Sequence, residues 1–122
     1  MKKNLSITAI LGMLAIVLGA FGAHALKEKL GADALLSYET GVRYQMYHVF
    51  ALLFVNTYSG FSSKGRQTIS WLFFLGILLF SGSIYAITAV GIDPKLIWFI
   101  TPLGGLLFII GWLIMFFNFL RK

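Results

Sequence analysis

The chain has 122 residues, 59% of them hydrophobic and only 11% charged, with a net charge of +6. Soluble domains carry about 25% charged residues, so this composition excludes a water-soluble globular fold. The basic residues sit at the ends of apolar runs and form no stripe on a polar surface, which excludes a nucleic-acid footprint. There are no cysteines, which removes disulfides, thiolate metal sites and cysteine nucleophiles.

Four apolar runs follow in chain order, at about residues 5–26, 44–59, 68–90 and 97–120. A helix needs about 20 apolar residues to cross a bilayer core of about 30 Å. The second run is short, but it can borrow turns from the segment before it. The prediction is an all-α protein: one membrane-embedded domain over residues 1–122, a bundle of four transmembrane helices. Lys2 and Lys3, the first run and Ala23-His24-Ala25 imitate a secretory signal with its cleavage site. The run before Ala23 spans about 18 residues, longer than the roughly 7–15 of such signals, so the first helix is expected to be retained.

Between the first two runs, Leu30, Ala34, Leu35, Tyr38 and Val42 recur near helical spacing, away from Glu28, Asp33 and Glu39. That pattern predicts a short amphipathic helix lying on the membrane or capping the bundle, with Asp33 capping its start. The later links, 60–67 and 91–95, are tight and punctuated by Gly60, Gly65, Gly91 and Pro94. Short links make sequential helices antiparallel neighbours. Pro102 is tolerated if it falls in the first turn of the last helix and kinks that helix if it falls deeper.

Four crossings put Lys2, Lys3, Lys64, Arg66, Arg121 and Lys122 on one side and Lys27, Lys29, Arg43 and Lys95 on the other. Six against four favours a multi-pass protein of the cell membrane with both termini cytoplasmic. Lipid is as apolar as leucine, so close backbone approach rather than leucine burial drives helix association. Small residues at Ala15, Gly19 and Ala23, at Gly82 and Ala86, and at Gly104 and Gly105 are the expected packing positions.

The rare polar residues within the runs gather on the outer half. At about 1.5 Å per residue, His24, Arg43, Gln45, His48, Ser83, Tyr85 and Thr101 fall in a slab of roughly 10 Å. Strongly polar groups inside a bilayer usually face the bundle interior and mark function. The same residues also serve as hydrogen-bonding glue between helices, and tyrosine, arginine and tryptophan anchor interfaces. No acidic residue lies in any run, so a carboxylate proton relay is absent. Two histidines without carboxylates are too few for a zinc site, so no metal is expected. No nucleotide loop or hydrolase elbow is present and no catalytic residue stands out.

Gly19-Ala20-Phe21-Gly22-Ala23-His24, Tyr44-Gln45-Met46-Tyr47-His48, Phe80-Ser81-Gly82-Ser83-Ile84-Tyr85 and Thr101-Pro102-Leu103-Gly104-Gly105 together resemble the domain of unknown function 423 family. These are small bacterial membrane proteins with a related transmembrane protein in animals. The resemblance covers nearly the whole chain. It implies a helical fold, the four-span topology, a membrane location and an uncleaved first helix, and it supplies no catalytic residues.

Three functional classes follow. One is a binding or transport module whose outward pocket is lined by the seven polar residues named above, with the lipid bilayer and a homo-oligomer as partners. Another is a structural or assembly subunit beside another membrane protein. The third is a haem protein with His24 and His48 as axial ligands; no cofactor is otherwise predicted.

Overall fold

The computed structural model describes residues 2–121. Lys122, counted above among the cytoplasmic cations, lies outside the described residues. Among the described residues all regular structure is helical: α1 (Lys2–Leu26), α2 (Ala32–Thr57), α3 (Ser63–Val90), the single turn α4 (Pro94–Ile97) and α5 (Ile100–Leu120). In lipid a helix satisfies every backbone polar group within its own segment, which is why so apolar a chain takes this form. By length and composition α1, α3 and α5 can each cross a membrane. The 26-residue α2 carries Asp33, Glu39 and Arg43 in its first half and is less apolar.

The structure corrects the expected separate amphipathic helix between the first two spans. Its residues are the opening turns of α2, which runs unbroken from Ala32 to Thr57. No proline interrupts this stretch. Its one glycine, Gly41, is buried; a Cβ there would lie 3.2 Å from the side chains of Ile84 and Tyr85. Gly31 caps α2, and Asp33 lies in the first turn without a capping hydrogen bond. Its carboxylate there complements the positive end of the helix dipole.

Ser62 starts α3 earlier than hydropathy indicates, since its hydroxyl accepts from Gly65 N at 3.0 Å and so draws Gly65 into the first turn. Asp93 caps α4 in the same way, with Pro94 opening it. Pro102 is the third residue of α5, within the first turn, where its missing N–H costs nothing. Gly91 closes α3 with φ +92°, a left-handed conformation that glycine adopts without penalty.

Contacts fix which ends of the helices lie together. Asn4 Nδ2 donates to Asn56 Oδ1 at 3.0 Å and to Gln67 Oε1 at 3.2 Å. The Phe119 ring lies 5.1 Å from that of Phe61. The start of α1, the α2–α3 link and the end of α5 therefore share one end of the bundle, called here the terminal end. At the distal end the Tyr38 hydroxyl donates to the Leu18 carbonyl at 2.5 Å. Tyr38 occupies the place beside Gly22 that a side chain there would need, next to the π-helical turn Gly22–Leu26 that ends α1.

The apolar core lies between α2, α3 and α5, around Leu52, Val55, Ile69, Phe73, Ile77 and Phe108. Helices α3 and α5 approach through reciprocal glycine–phenylalanine contacts. A Cβ on Gly76 would lie 2.5 Å from the Phe108 ring, and one on Gly111 would lie 2.5 Å from the Phe73 ring. Gly104 sits directly against the α3 backbone at Leu79 and Phe80. Ala15, only 1% exposed, and Gly19, beside Val42, pack α1 on α2. The other expected packing positions contribute less. Ala23 is exposed, a Cβ on Gly105 would make ordinary contact with the Phe80 ring, Ala86 is half-buried, and a Cβ on Gly82 would meet no neighbouring helix within 4 Å.

Candidate functional site

Five of the seven polar candidates are at least half-buried, and they resolve into three separate hydrogen-bonded groups. In the first, Gln45 bridges helices: its Nε2 donates to the Leu11 carbonyl at 2.8 Å, and its Oε1 accepts from the Tyr85 hydroxyl at 2.7 Å. This ties α1, α2 and α3 together. In the second, Ser83 and Thr101 share a hydrogen bond between α3 and α5. Nearby, Ser81 Oγ donates to the Gly41 carbonyl at 2.7 Å.

The third group is His48. Trp112 Nε1, which can only donate, lies 2.9 Å from His48 Nε2. His48 Nδ1 therefore carries the proton and donates to the Tyr44 carbonyl at 2.7 Å. The Phe108 ring stacks on the imidazole with centroids 3.6 Å apart. His24 and Arg43 are exposed; Arg43 donates to Thr40 Oγ1 at 3.1 Å, and His24 makes no side-chain hydrogen bond among the described residues. Axial ligation of haem by His24 and His48 thus loses its geometry, because both ring nitrogens of His48 are engaged within the bundle. No three histidine or carboxylate side chains gather among the described residues.

A cavity of about 530 Å³ forms a groove between α1 and α3. One wall is the α1 row Lys3, Ile7, Leu11, Leu14 and Leu18; the other is the α3 row Gln67, Trp71, Phe74, Leu78 and Gly82, with Gln45 and Tyr85 on its floor. Two features open it. Gly82 presents no side chain, with open space out to 4.0 Å from where a Cβ would be. The π-helical turn Ile77–Ser81 of α3 also borders it through Ile77 and Leu78, and such turns recur at functional positions. A smaller hollow of about 330 Å³ lies by Gly19, Tyr38, Glu39, Val42 and Arg43, so Arg43 lines a different space from Gln45 and Tyr85.

The sequence underweights a second buried polar network at the terminal end, Gln67–Asn4–Asn56–Ser70. Asn56 and Ser70 are fully buried, and Asn56 Nδ2 donates to Ser70 Oγ at 2.9 Å. Buried polar groups thus occur at both ends of the bundle. Asn4 looks like part of the lysine-rich flank, and only the packing of α1 on α2 turns it inward. Trp112, in the middle of α5, carries no signal in the sequence that it reaches His48.

Long apolar helices tied by buried polar pairs define a multi-pass α-helical membrane protein. The chain belongs to the DUF423 family of proteins of unknown function, which matches residues 18–105. It is 44% identical over 115 residues to the UPF0382 membrane protein of Staphylococcus saprophyticus, covering 94% of each chain. It is 44% identical to the UPF0382 membrane protein YwdK of Bacillus subtilis, covering 93% of this chain and 92% of the relative. It is 45% identical to that of Haemophilus influenzae, covering 92% and 89%. No solved structure matches the chain.

Proposed function

We propose that the chain crosses the cell membrane four times with both termini cytoplasmic, and that it acts as a small binding module whose ligand enters the α1–α3 groove from the lipid phase. Support for the fourth crossing comes from the bonds that tie α2 to α1 at both ends, Asn4–Asn56 and Leu18–Tyr38. Where α1 spans, α2 spans beside it, and its Gln45, His48 and Asn56 face protein rather than lipid.

The observation that carries the binding role is the groove itself. A volume of about 530 Å³ falls within the roughly 300–1,000 Å³ of small-molecule sites, which are mostly apolar with a few placed polar groups. Gln45 and Tyr85 are those groups here, and they are the part of the outward polar belt that the groove reaches. Of the other five candidates, His48, Ser83 and Thr101 hold helices together beside it, and His24 and Arg43 are exposed. The test is native mass spectrometry of the full chain released from mild detergent. Wild type should retain a membrane-derived amphiphile that Gly82→Phe, which fills the groove from α3, loses. Equal retention by both refutes the groove as the site.

A structural role in a larger membrane complex is favoured by a different fact, that Gln45, His48, Ser83, Tyr85 and Thr101 all spend their side chains on intrachain hydrogen bonds. A stoichiometric partner after gentle purification would support that reading.

A further inference from the structure

Resting on that reading of the groove, we infer that its occupant is an anionic glycerophospholipid. Its acyl chain lies along α1 and its phosphate is held at the terminal end by Lys3 and Gln67.

Three observations lead there. The wall from Ile7 to Leu18 is apolar and, at about 1.5 Å per residue, about 16 Å long. That is the hydrocarbon depth of one leaflet, half of about 30 Å. The two polar groups on its floor are already tied to each other and to the Leu11 carbonyl, and the lining between them and the mouth is leucine, isoleucine, phenylalanine and tryptophan. The middle of the groove therefore takes a chain and not a sugar or an ion.

The mouth differs. Asn4 Nδ2 is used by Asn56 and Gln67, and Gln67 accepts through Oε1. That leaves the Gln67 amide N–H groups and the Lys3 ammonium without hydrogen-bond partners among the described residues. Both are donors, and both line the groove. A phosphate supplies several strong acceptors and a negative charge for them. The surrounding field has the same sign preference. Lys2, Lys3, Lys64, Arg66 and Arg121 lie at the terminal end, whereas Glu28, Asp33, Glu39 and Asp93 all lie at the distal end. Anionic headgroups on the cytoplasmic leaflet are attracted by such a cluster, and Lys3 and Gln67 would convert general attraction into a seat.

The test compares retention of phosphatidylglycerol and phosphatidylcholine by the purified full chain in mild detergent, read by native mass spectrometry. Circular dichroism and gel filtration verify the fold of each variant. Wild type should hold phosphatidylglycerol in preference. Lys3→Gln and Gln67→Glu, the latter keeping the acceptor for Asn4, should each weaken that preference roughly tenfold, the loss of one charge-assisted contact. Lys64→Gln, at the same end but outside the groove, should leave it intact. Equal retention of the two lipids, or an equal loss from Lys64→Gln, overturns the headgroup seat while the groove stands. Gly82→Phe, or Leu14→Trp from the opposite wall should the first not fold, must abolish retention of both lipids; retention unchanged in the folded variant overturns the groove and the inference with it. A protein recovered in the groove in place of lipid also overturns the inference.

Discussion

Gly104 and Gly82 look alike in a list of small residues, yet they meet opposite surroundings. A Cβ on Gly104 would lie 2.8 Å from Leu79 C and Phe80 Cα, which are backbone atoms and cannot rotate away. Gly104→Ala should therefore cost about 1–3 kcal/mol, as overpacking does. Gly82→Ala enters open space and should be neutral or stabilising by up to about 1 kcal/mol, because alanine favours helix over glycine. Unfolding of the two variants in detergent decides; equal stability would show that the α3–α5 approach is wrong. The spacing of small residues marks both positions as packing sites because it reveals that a helix carries a smooth stripe. It does not reveal which way the stripe turns. In helices that are apolar all round, hydropathy leaves the rotation open, and only the partners Phe73, Phe80 and Phe108 fix it. For the same reason the inward turn of Asn4 and the reach of Trp112 to His48 are hidden in the sequence.

At the scale of whole helices, the side-chain bridges decide which elements belong together. Gln45 joins α2 to α1 through the Leu11 carbonyl and to α3 through Tyr85. A double-mutant cycle between Gln45→Leu and Tyr85→Phe should give a coupling of about 0.6 kcal/mol or more, the typical worth of such a bond between membrane helices. A coupling indistinguishable from zero would remove the bridge. Gln45, His48, Ser83, Tyr85 and Thr101 were recognisable from the sequence as buried and polar, because depth along a helix follows from counting residues. Their partners were not, because partnership depends on which helices neighbour one another. That the amphipathic segment and the second span form one unbroken helix is not legible for another reason. Asp33, Glu39 and Arg43 lower local hydropathy, and hydropathy measures exposure to lipid rather than helicity. Continuity of the helix depends instead on the lack of a breaker between Ala32 and Thr57.

For the molecule as a whole, the number of crossings is the property with most at stake. The chain has no cysteine, so single introduced cysteines report sidedness directly. Lys64→Cys should react only from the cytoplasmic side, and Glu28→Cys and Lys95→Cys only from the outside, when a membrane-impermeant maleimide is applied to intact cells and to inverted vesicles. Glu28→Cys and Lys95→Cys labelling from opposite faces would mean that the four-crossing topology fails. The charge asymmetry behind this expectation is legible in the sequence because lysine and arginine positions need no packing information. The groove is not legible there, since it exists only where α1 and α3 stand apart across α2.

The length of α2 has a mechanical corollary. At about 1.5 Å per residue its 26 residues form a rod of about 39 Å, against about 30 Å of hydrocarbon. In a four-crossing arrangement about 9 Å of it, roughly its first six residues, projects beyond the acyl region as a stiff handle bearing Asp33, with no joint between that handle and Gln45. Force applied to the projecting turns would arrive undamped beneath the lipid-facing cleft.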